Sequence, residues 1–224
     1  MKIVLYDWPP SPFCIKVRAV LARKGIAYEK VPALSRLREI TKRGGIGKVP
    51  ALDIDGEFLV DSTDIARTLD ARFADPPLVP PHPHERALCH ALEDWSDEAL
   101  YFIALWHHWH EPAGRKQAQR YFAKTILGRV LFWPYVASVE RQLKGQGTGR
   151  KTAAHIARDM ERNLDAIEDM LDGRDFLLGE GPRLCDYAVG GQLVYLMRAP
   201  KTRDVLASRP RTRAFLARMP EVRV

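Results

Sequence analysis

A chain of 224 residues can bury a sizeable core, as one large domain or two smaller ones. Its 46% hydrophobic and 28% charged residues exclude a disordered or fibrous protein, and no apolar run approaches the ~20 residues of a membrane-spanning helix. The net charge of +7 comes from bases spread among acids, apart from a basic cluster between Arg198 and Arg223. That pattern suits anionic small molecules better than nucleic acid. Cys14, Cys89 and Cys185 are odd in number and far apart, which argues against a disulfide framework or a cysteine-only zinc site and for a reducing, cytoplasmic setting.

Met1–Asp7 reads as a short strand closed by an acid, not as a signal peptide. Asp7-Trp8-Pro9-Pro10 breaks it. Ser11-Pro12 then opens a helix, with serine at the cap and proline at the first helical position. Phe13, Val17, Val20 and Leu21 share one face of that helix, and Gly25 stops it. Ala27–Val31 forms a second strand.

The stretch from Gly44 to Leu69 carries the strongest local signals. Asp55-Gly56 between short apolar runs predicts a two-residue hairpin. Val49-Pro50 heads the first run, and a proline there donates nothing to a ladder, so the backbone beside it stays free. Asp61-Ser62 closes the hairpin and opens a helix with Ile65 and Leu69 four apart; Ser62 is the expected cap, and a capped helix start attracts carboxylates. A free strand edge and an anion site this close make a docking place for a short acidic peptide. Strand, helix, strand, hairpin, helix is the order of a thioredoxin-like sheet.

Five prolines between Pro76 and Pro83 mark a stiff connector, which divides the chain into residues 1–78, a linker over 79–84 and a helical unit over 85–224. Leu88, Leu92, Trp95, Ala99, Phe102, Ile103 and Trp106 keep helical spacing until Pro112. Within Trp106–Glu111, His107 is three residues from His110 and four from Glu111. No histidine or cysteine pair elsewhere completes a ligand set, so no metal is expected. A second helix is predicted from Arg115 to Leu143 with a kink at Pro134. Gly145–Thr152 resembles a phosphate loop only superficially, because Arg150 replaces the required glycine and no strand precedes it; it reads as a flexible connector. Ile156, Met160, Leu164, Ile167 and Leu171 then mark another amphipathic helix.

The run Leu5–Cys14, with Lys16-Val17-Arg18, Lys24-Gly25-Ile26 and the Lys48–Ser62 hairpin, resembles the cytosolic glutathione transferase family, in the serine-type, bacterial or tau-like form of its N-terminal motif. Phe176–Pro182 followed by Leu184–Val189 is similar to the family's folding signature, except that Arg183 stands where relatives carry a capping serine or threonine. Ala214–Pro220 looks like its last helix. The resemblance implies a thioredoxin-like N-terminal domain followed by an all-α bundle, glutathione as substrate, and a cytoplasmic homodimer with neither nucleic-acid nor membrane partners. It further implies that Ser11 hydrogen-bonds the glutathione sulfur for attack on a small hydrophobic electrophile. Pro50 matches the family's cis-proline, which turns the Val49 backbone toward the cysteinyl unit. Ser62 matches the site of the γ-glutamyl carboxylate, and Asp61, one methylene shorter than the usual residue, that of the γ-glutamyl amine. Lys48 is placed for the glycine carboxylate, and Phe13, Tyr101 and Trp106 for the second substrate. Two alternatives remain at this point: a glutathione-dependent thiol/disulfide reductase using Cys14, and a scaffold protein that kept the fold without the chemistry.

Overall fold

The alternation of β1 (Ile3–Asp7) sends Ile3 and Leu5 into one core cluster and Val4 and Tyr6 into another. In the computed structural model, which describes all residues except Ile46, Glu180 and Val224 and all side chains but that of Leu127, β1 is central in the sheet. It runs parallel to β2 (Glu29–Pro32) and antiparallel to β3 (Ala51–Ile54), and β3 turns back into β4 (Glu57–Val60), giving the order β2-β1-β3-β4. Asp55 and Gly56 both take positive φ at the hairpin, as an Asp-Gly turn requires. One sheet face is covered by α1 (Pro12–Arg23) and α3 (Ser62–Arg72), through Ile15, Val20, Ile65 and Leu69. The other face packs Tyr6 and Ala51 under Ile40 of α2 (Leu37–Lys42). Ile46 of the glycine-rich approach and Glu180 of the glycine turn lie outside the described residues.

The connector is held from both sides. Leu78 and Val79 donate their amides to Asp70, and Leu184 donates to the Leu78 carbonyl. From Pro83 to His110 the chain is one rod built of α4 (Pro83–Trp95), a π-helical turn at Ser96–Leu100, α5 (Tyr101–Leu105) and a second π turn at Trp106–His110. The Glu111 amide reaches back five residues to the Trp106 carbonyl. Pro112 starts α6 (Pro112–Phe122), whose free amides are capped by the Glu111 carboxylate. Gly114 is obligatory: a β-carbon there would lie 1.9 Å from the His107 carbonyl oxygen.

The single helix expected over Arg115–Leu143 is two. The chain breaks after Phe122 and restarts as α7 (Ile126–Gln146), capped by the Thr125 hydroxyl on Gly128 N–H at 3.0 Å. Gly128 lets the two ends meet, since a β-carbon would sit 2.1 Å from the Phe122 carbonyl. Pro134 does lie within α7. The expected flexible connector is ordered instead: Gly147 terminates α7 with positive φ, Thr148–Arg150 form a 3-10 turn with Thr148 buried, and Thr152 caps α8 (Ala153–Met170). There follow α9 (Leu184–Met197), the short α10 (Arg203–Ala207) and α11 (Pro210–Arg218).

Arg183 cannot cap α9, and Asp186 takes that role. Its carboxylate is fully buried and accepts from Arg183 N–H at 2.7 Å and Leu177 N–H at 2.9 Å. Burial pushes its pKa up to about 6 against those two donors. The helix it caps is buried almost all round and lies against α1. A β-carbon on Gly191 would come within 3.0 Å of the Pro12 carbonyl, so glycine sets the close approach. One continuous core thus runs from the sheet through α1 and α9 into the helical unit.

Candidate active site

Sheet register gathers the candidate residues. Ala51 pairs with both Tyr6 and Val60, so the exit of β1, the entry to β3 and the exit of β4 share one end of the sheet. Val49-Pro50 and Asp61-Ser62 directly adjoin two of those points, and Ser11 follows the third after Trp8-Pro9-Pro10.

Ser11 is the cap of α1, 4% exposed, with its amide on the Trp8 carbonyl. Its oxygen accepts the Cys14 amide at 3.4 Å, a long contact that leaves the hydroxyl proton for another acceptor. Cys14 points into the core with no exposed surface, and the Trp8 amide donates to its sulfur at 3.4 Å. Burial pushes its thiol up to about 12, only partly opposed by that donor. Behind the loop, Arg18 and Asp7 form a buried pair at 2.5 Å.

The Val49–Pro50 peptide is cis. Among the described residues, neither the amide nor the carbonyl of Val49 enters a backbone hydrogen bond, so both are free for a ligand backbone. Lys48 is exposed. The helix cap at α3 is Asp61, not Ser62: its Oδ1 accepts from Thr63 N–H at 2.8 Å and Asp64 N–H at 3.4 Å. Ser62 becomes the first helical residue, nearly buried. Asp61 holds φ 73 and ψ 128, a conformation that a side-chain-bearing residue rarely adopts and that clusters at binding sites. Asp61→Ala should therefore cost about 1–2 kcal/mol by losing the cap while keeping the strained backbone, whereas Asp61→Gly should cost only a few tenths. Urea unfolding of the two variants checks this; equal losses would mean that the backbone is relaxed.

The start of α3 is braced from beneath. Lys16, 1% exposed, donates its ammonium to Thr63 Oγ1 at 3.0 Å and lies 2.6 Å from Glu93 and 3.0 Å from Asp97. Gln192 of α9 donates to the other Asp97 oxygen at 3.4 Å. Burial alone would lower the Lys16 pKa, but Asp97 and Glu93 outweigh it and raise it. Burial raises the Asp97 pKa, with Lys16 opposing.

Of the three residues expected to face a second substrate, the fold brings two together: the rings of Phe13 and Tyr101 lie 4.8 Å apart. Trp106 is buried and packs on His107 and His110 instead. Two aromatics that sequence reading passed over lie beside the loop: Trp8 contacts Tyr135 of α7, and Tyr135 in turn Trp109. Burial pushes the Tyr135 hydroxyl up to about 12, so it stays protonated. Tyr135 had one signal, its place directly after Pro134. A cleft of about 480 Å³ lined by Leu171, Arg174, Asp175, Arg211 and Arg218 sits on other elements, and two of its arginines are paired with Asp172 and Asp175. Among the described residues, no three metal-ligating side chains cluster, the histidines of Trp106–Glu111 included.

Sequence profiles for the N-terminal and C-terminal domains of glutathione S-transferases match residues 5–77 and 128–218. The chain belongs to the glutathione S-transferase family. Among relatives of this family member, an isoprene-epoxide–glutathione S-transferase from Rhodococcus sp. (strain AD45) is 26% identical over 89% of the chain and 88% of its own length. The Drosophila melanogaster protein Failed axon connections is 25% identical over 84% of the chain, which spans only 47% of that longer protein. The β-etherase from Sphingobium sp. strain SYK-6 superposes with a TM-score of 0.73 over the whole chain and 98% of its own, at 23% identity. The thioredoxin-like sheet and helical bundle are those of the glutathione transferase fold.

Proposed function

We propose that this family member is a transferase that binds glutathione at the sheet end, stabilises its thiolate with Ser11 and adds it to a small hydrophobic electrophile. The observation that carries the reading is the convergence, through the Ala51 register, of two helix starts and an unpaired Val49 backbone on one end of the sheet. A tripeptide with two carboxylates and one peptide-bonded cysteine fits those three elements. The Val49 amide and carbonyl would pair with the cysteinyl backbone, Ser62 and the α3 start would take the γ-glutamyl carboxylate, Asp61 its amine, and Lys48 the glycine carboxylate.

The electrophile would sit on Phe13 and Tyr101, with Trp8 and Tyr135 beside them. An epoxide is the first class to try, from the name of the Rhodococcus relative. The sulfur attacks a ring carbon, the C–O bond breaks, and the alkoxide takes a proton, giving a hydroxy-thioether. Lowering the thiol pKa from ~8.5 and holding sulfur beside carbon supply the acceleration. The family's dimeric assembly and a cytoplasmic setting go with this reading. The reductase reading is weaker, because a fully buried thiol held near 12 is neither accessible nor ionised.

The test is steady-state conjugation of glutathione to an aryl halide and to an epoxide. Ser11→Ala should lower kcat/KM about 100-fold, the usual loss of one donor to a developing anion. Its pH profile should shift toward the ~8.5 of the free thiol, with glutathione still bound. Cys14→Ala should stay within about threefold of the parent. Full activity in Ser11→Ala removes its role, and loss confined to Cys14→Ala promotes the reductase. No glutathione binding by calorimetry leaves the scaffold.

A further inference from the structure

We propose that the corner between α6 and α7 docks this protein on the surface of an anionic lipid bilayer. From Pro112 to Val139 the chain holds no aspartate or glutamate, but it holds Arg115, Lys116, Arg120, Lys124 and Arg129. Only Arg115 is neutralised among the described residues, by Glu140 at 2.8 Å; the next carboxylate on the other side, Glu111, is engaged by Lys201. Lys116, Arg120, Lys124 and Arg129 are exposed and form no ion pair there. Several surface arginines elsewhere are paired, as Arg209, Arg211 and Arg218 are.

The same corner exposes apolar surface. Helix α7 turns Phe132, Val136, Val139 and Leu143 to the core. Its other face carries Ile126 and Trp133, which are 81% and 57% exposed, with Val130 between them at 68%. Leu131 and Tyr121 are also exposed, at 47% and 50%. Ile126, Val130 and Trp133 stand four and three residues apart, so they form one stripe along the helix. A soluble surface gains nothing from this stripe.

Charge selects the occupant. An aliphatic stripe ending in tryptophan and ringed by unpaired cations matches the headgroup boundary of an anionic membrane, where the stripe enters the acyl region and the cations meet phosphates. Nucleic acid matches the cations but not Ile126, Val130 and Leu131. A second copy matches the apolar stripe but not the charge, because two such corners face to face would oppose cation to cation. This attachment concerns the bilayer surface only: no described helix is long and apolar enough to cross a membrane. It departs from the sequence-based expectation that no membrane partner exists. Tyr135, on the same helix, adjoins Trp8, so docking brings the proposed second-substrate pocket toward the phase in which apolar electrophiles concentrate. Lipid binding itself requires neither glutathione nor that pocket.

The experiment is sedimentation of the full chain with vesicles of phosphatidylcholine alone or with about one-third phosphatidylglycerol. Binding should be confined to the anionic vesicles and weaken as salt shortens the screening length. Arg120→Gln with Lys124→Gln should lower the partition coefficient about 30-fold, at about fivefold per cation. Ile126→Ser with Val130→Ser and Trp133→Ser should lower it at least tenfold by removing the apolar anchor. These positions are exposed, and circular dichroism verifies that each variant folds. Absence of binding to anionic vesicles, equal binding to neutral ones, or binding unchanged in either variant overturns the proposal. So does loss of self-association in the serine variant by sedimentation equilibrium, which would make the stripe a contact between copies.

Discussion

Lys16→Ala should lower the free energy of unfolding by about 3–5 kcal/mol, the usual cost of leaving a buried counter-charge alone. Glu93 is wholly buried and neither of its oxygens has a well-aligned hydrogen bond, so Lys16 at 2.6 Å is its principal compensation; Arg67 stands 3.8 Å away and partly exposed. In a chain of this length that loss corresponds to about 6–20 °C in Tm. The folded pKa of Lys16 is raised, so its contribution is present at all pH values below its ordinary 10.5 and is lost only in stronger base. Combining Lys16→Met with Glu93→Gln and Asp97→Asn should recover most of the stability, because no charge is then stranded. Calorimetry of the single and triple variants decides. A triple variant no better than Lys16→Ala would show that packing, not charge, supplies the effect. A second readout is glutathione affinity: with the Thr63 contact gone, the start of α3 loosens and binding should weaken in the single variant.

Acid should unfold the protein through two histidines. Burial pushes His107 and His108 down to about 4, opposed at His107 by Glu111 and at His108 by its bond to Tyr195. His108 Nε2–H donates to the Tyr195 carbonyl at 2.8 Å, and its ring stacks on the Tyr195 ring. His107 has no hydrogen-bond partner at either nitrogen among the described residues. Because both folded values lie below the unfolded 6.5, the stability they permit is complete above about pH 6.5 and is lost as pH falls toward 4. Each histidine accounts for about 3 kcal/mol over that span. Asp186 works the other way: its folded value of about 6 lies above the unfolded 3.8, so protonation returns about 3 kcal/mol over the same range. The net loss from these three groups should be about 3 kcal/mol between pH 7 and 4. His107→Phe should remove nearly half of the histidine contribution and two unpartnered nitrogens at once. Urea titrations at several pH values test both statements; a slope unchanged in His107→Phe would place the acid-sensitive group elsewhere.

The sheet, its hairpin and the start of α1 were legible because their signals are local: Asp55-Gly56 dictates a turn, and Ser11-Pro12 a helix start. Asp61 and Ser62 are both good caps and stand side by side. Only the exit of β4, which forces a positive φ on Asp61, decides between them. The rod from Pro83 to His110 kept its apolar spacing in the sequence, but the two π turns each absorb an extra residue, and counting by 3.6 does not register that. Thr125 and Gly128 announce a new helix, yet Ile126, Leu127, Val130, Leu131 and Phe132 masked the break with closely spaced apolar residues. Lys16 was the least legible. A lysine on a helix reads as solvated, and its partners Thr63, Glu93 and Asp97 lie between 47 and 81 residues downstream. The same holds for the aromatic lining: Phe13 and Tyr101 meet across the two units, whereas Trp106, at the start of the second π turn, packs on His107 and His110.

The seam between α1 and α9, where Gly191 admits the Pro12 carbonyl, has a consequence for anyone who would cut the chain at the proline connector. Expressed by itself, the N-terminal piece would present Ile15 and a Lys16 ammonium stripped of Glu93 and Asp97 to water, on a surface shaped for another helix. It should be sticky and poorly structured. A chimera that grafts this piece onto a relative's bundle will fold well only when the recipient supplies a glycine and the two acids at the matching places.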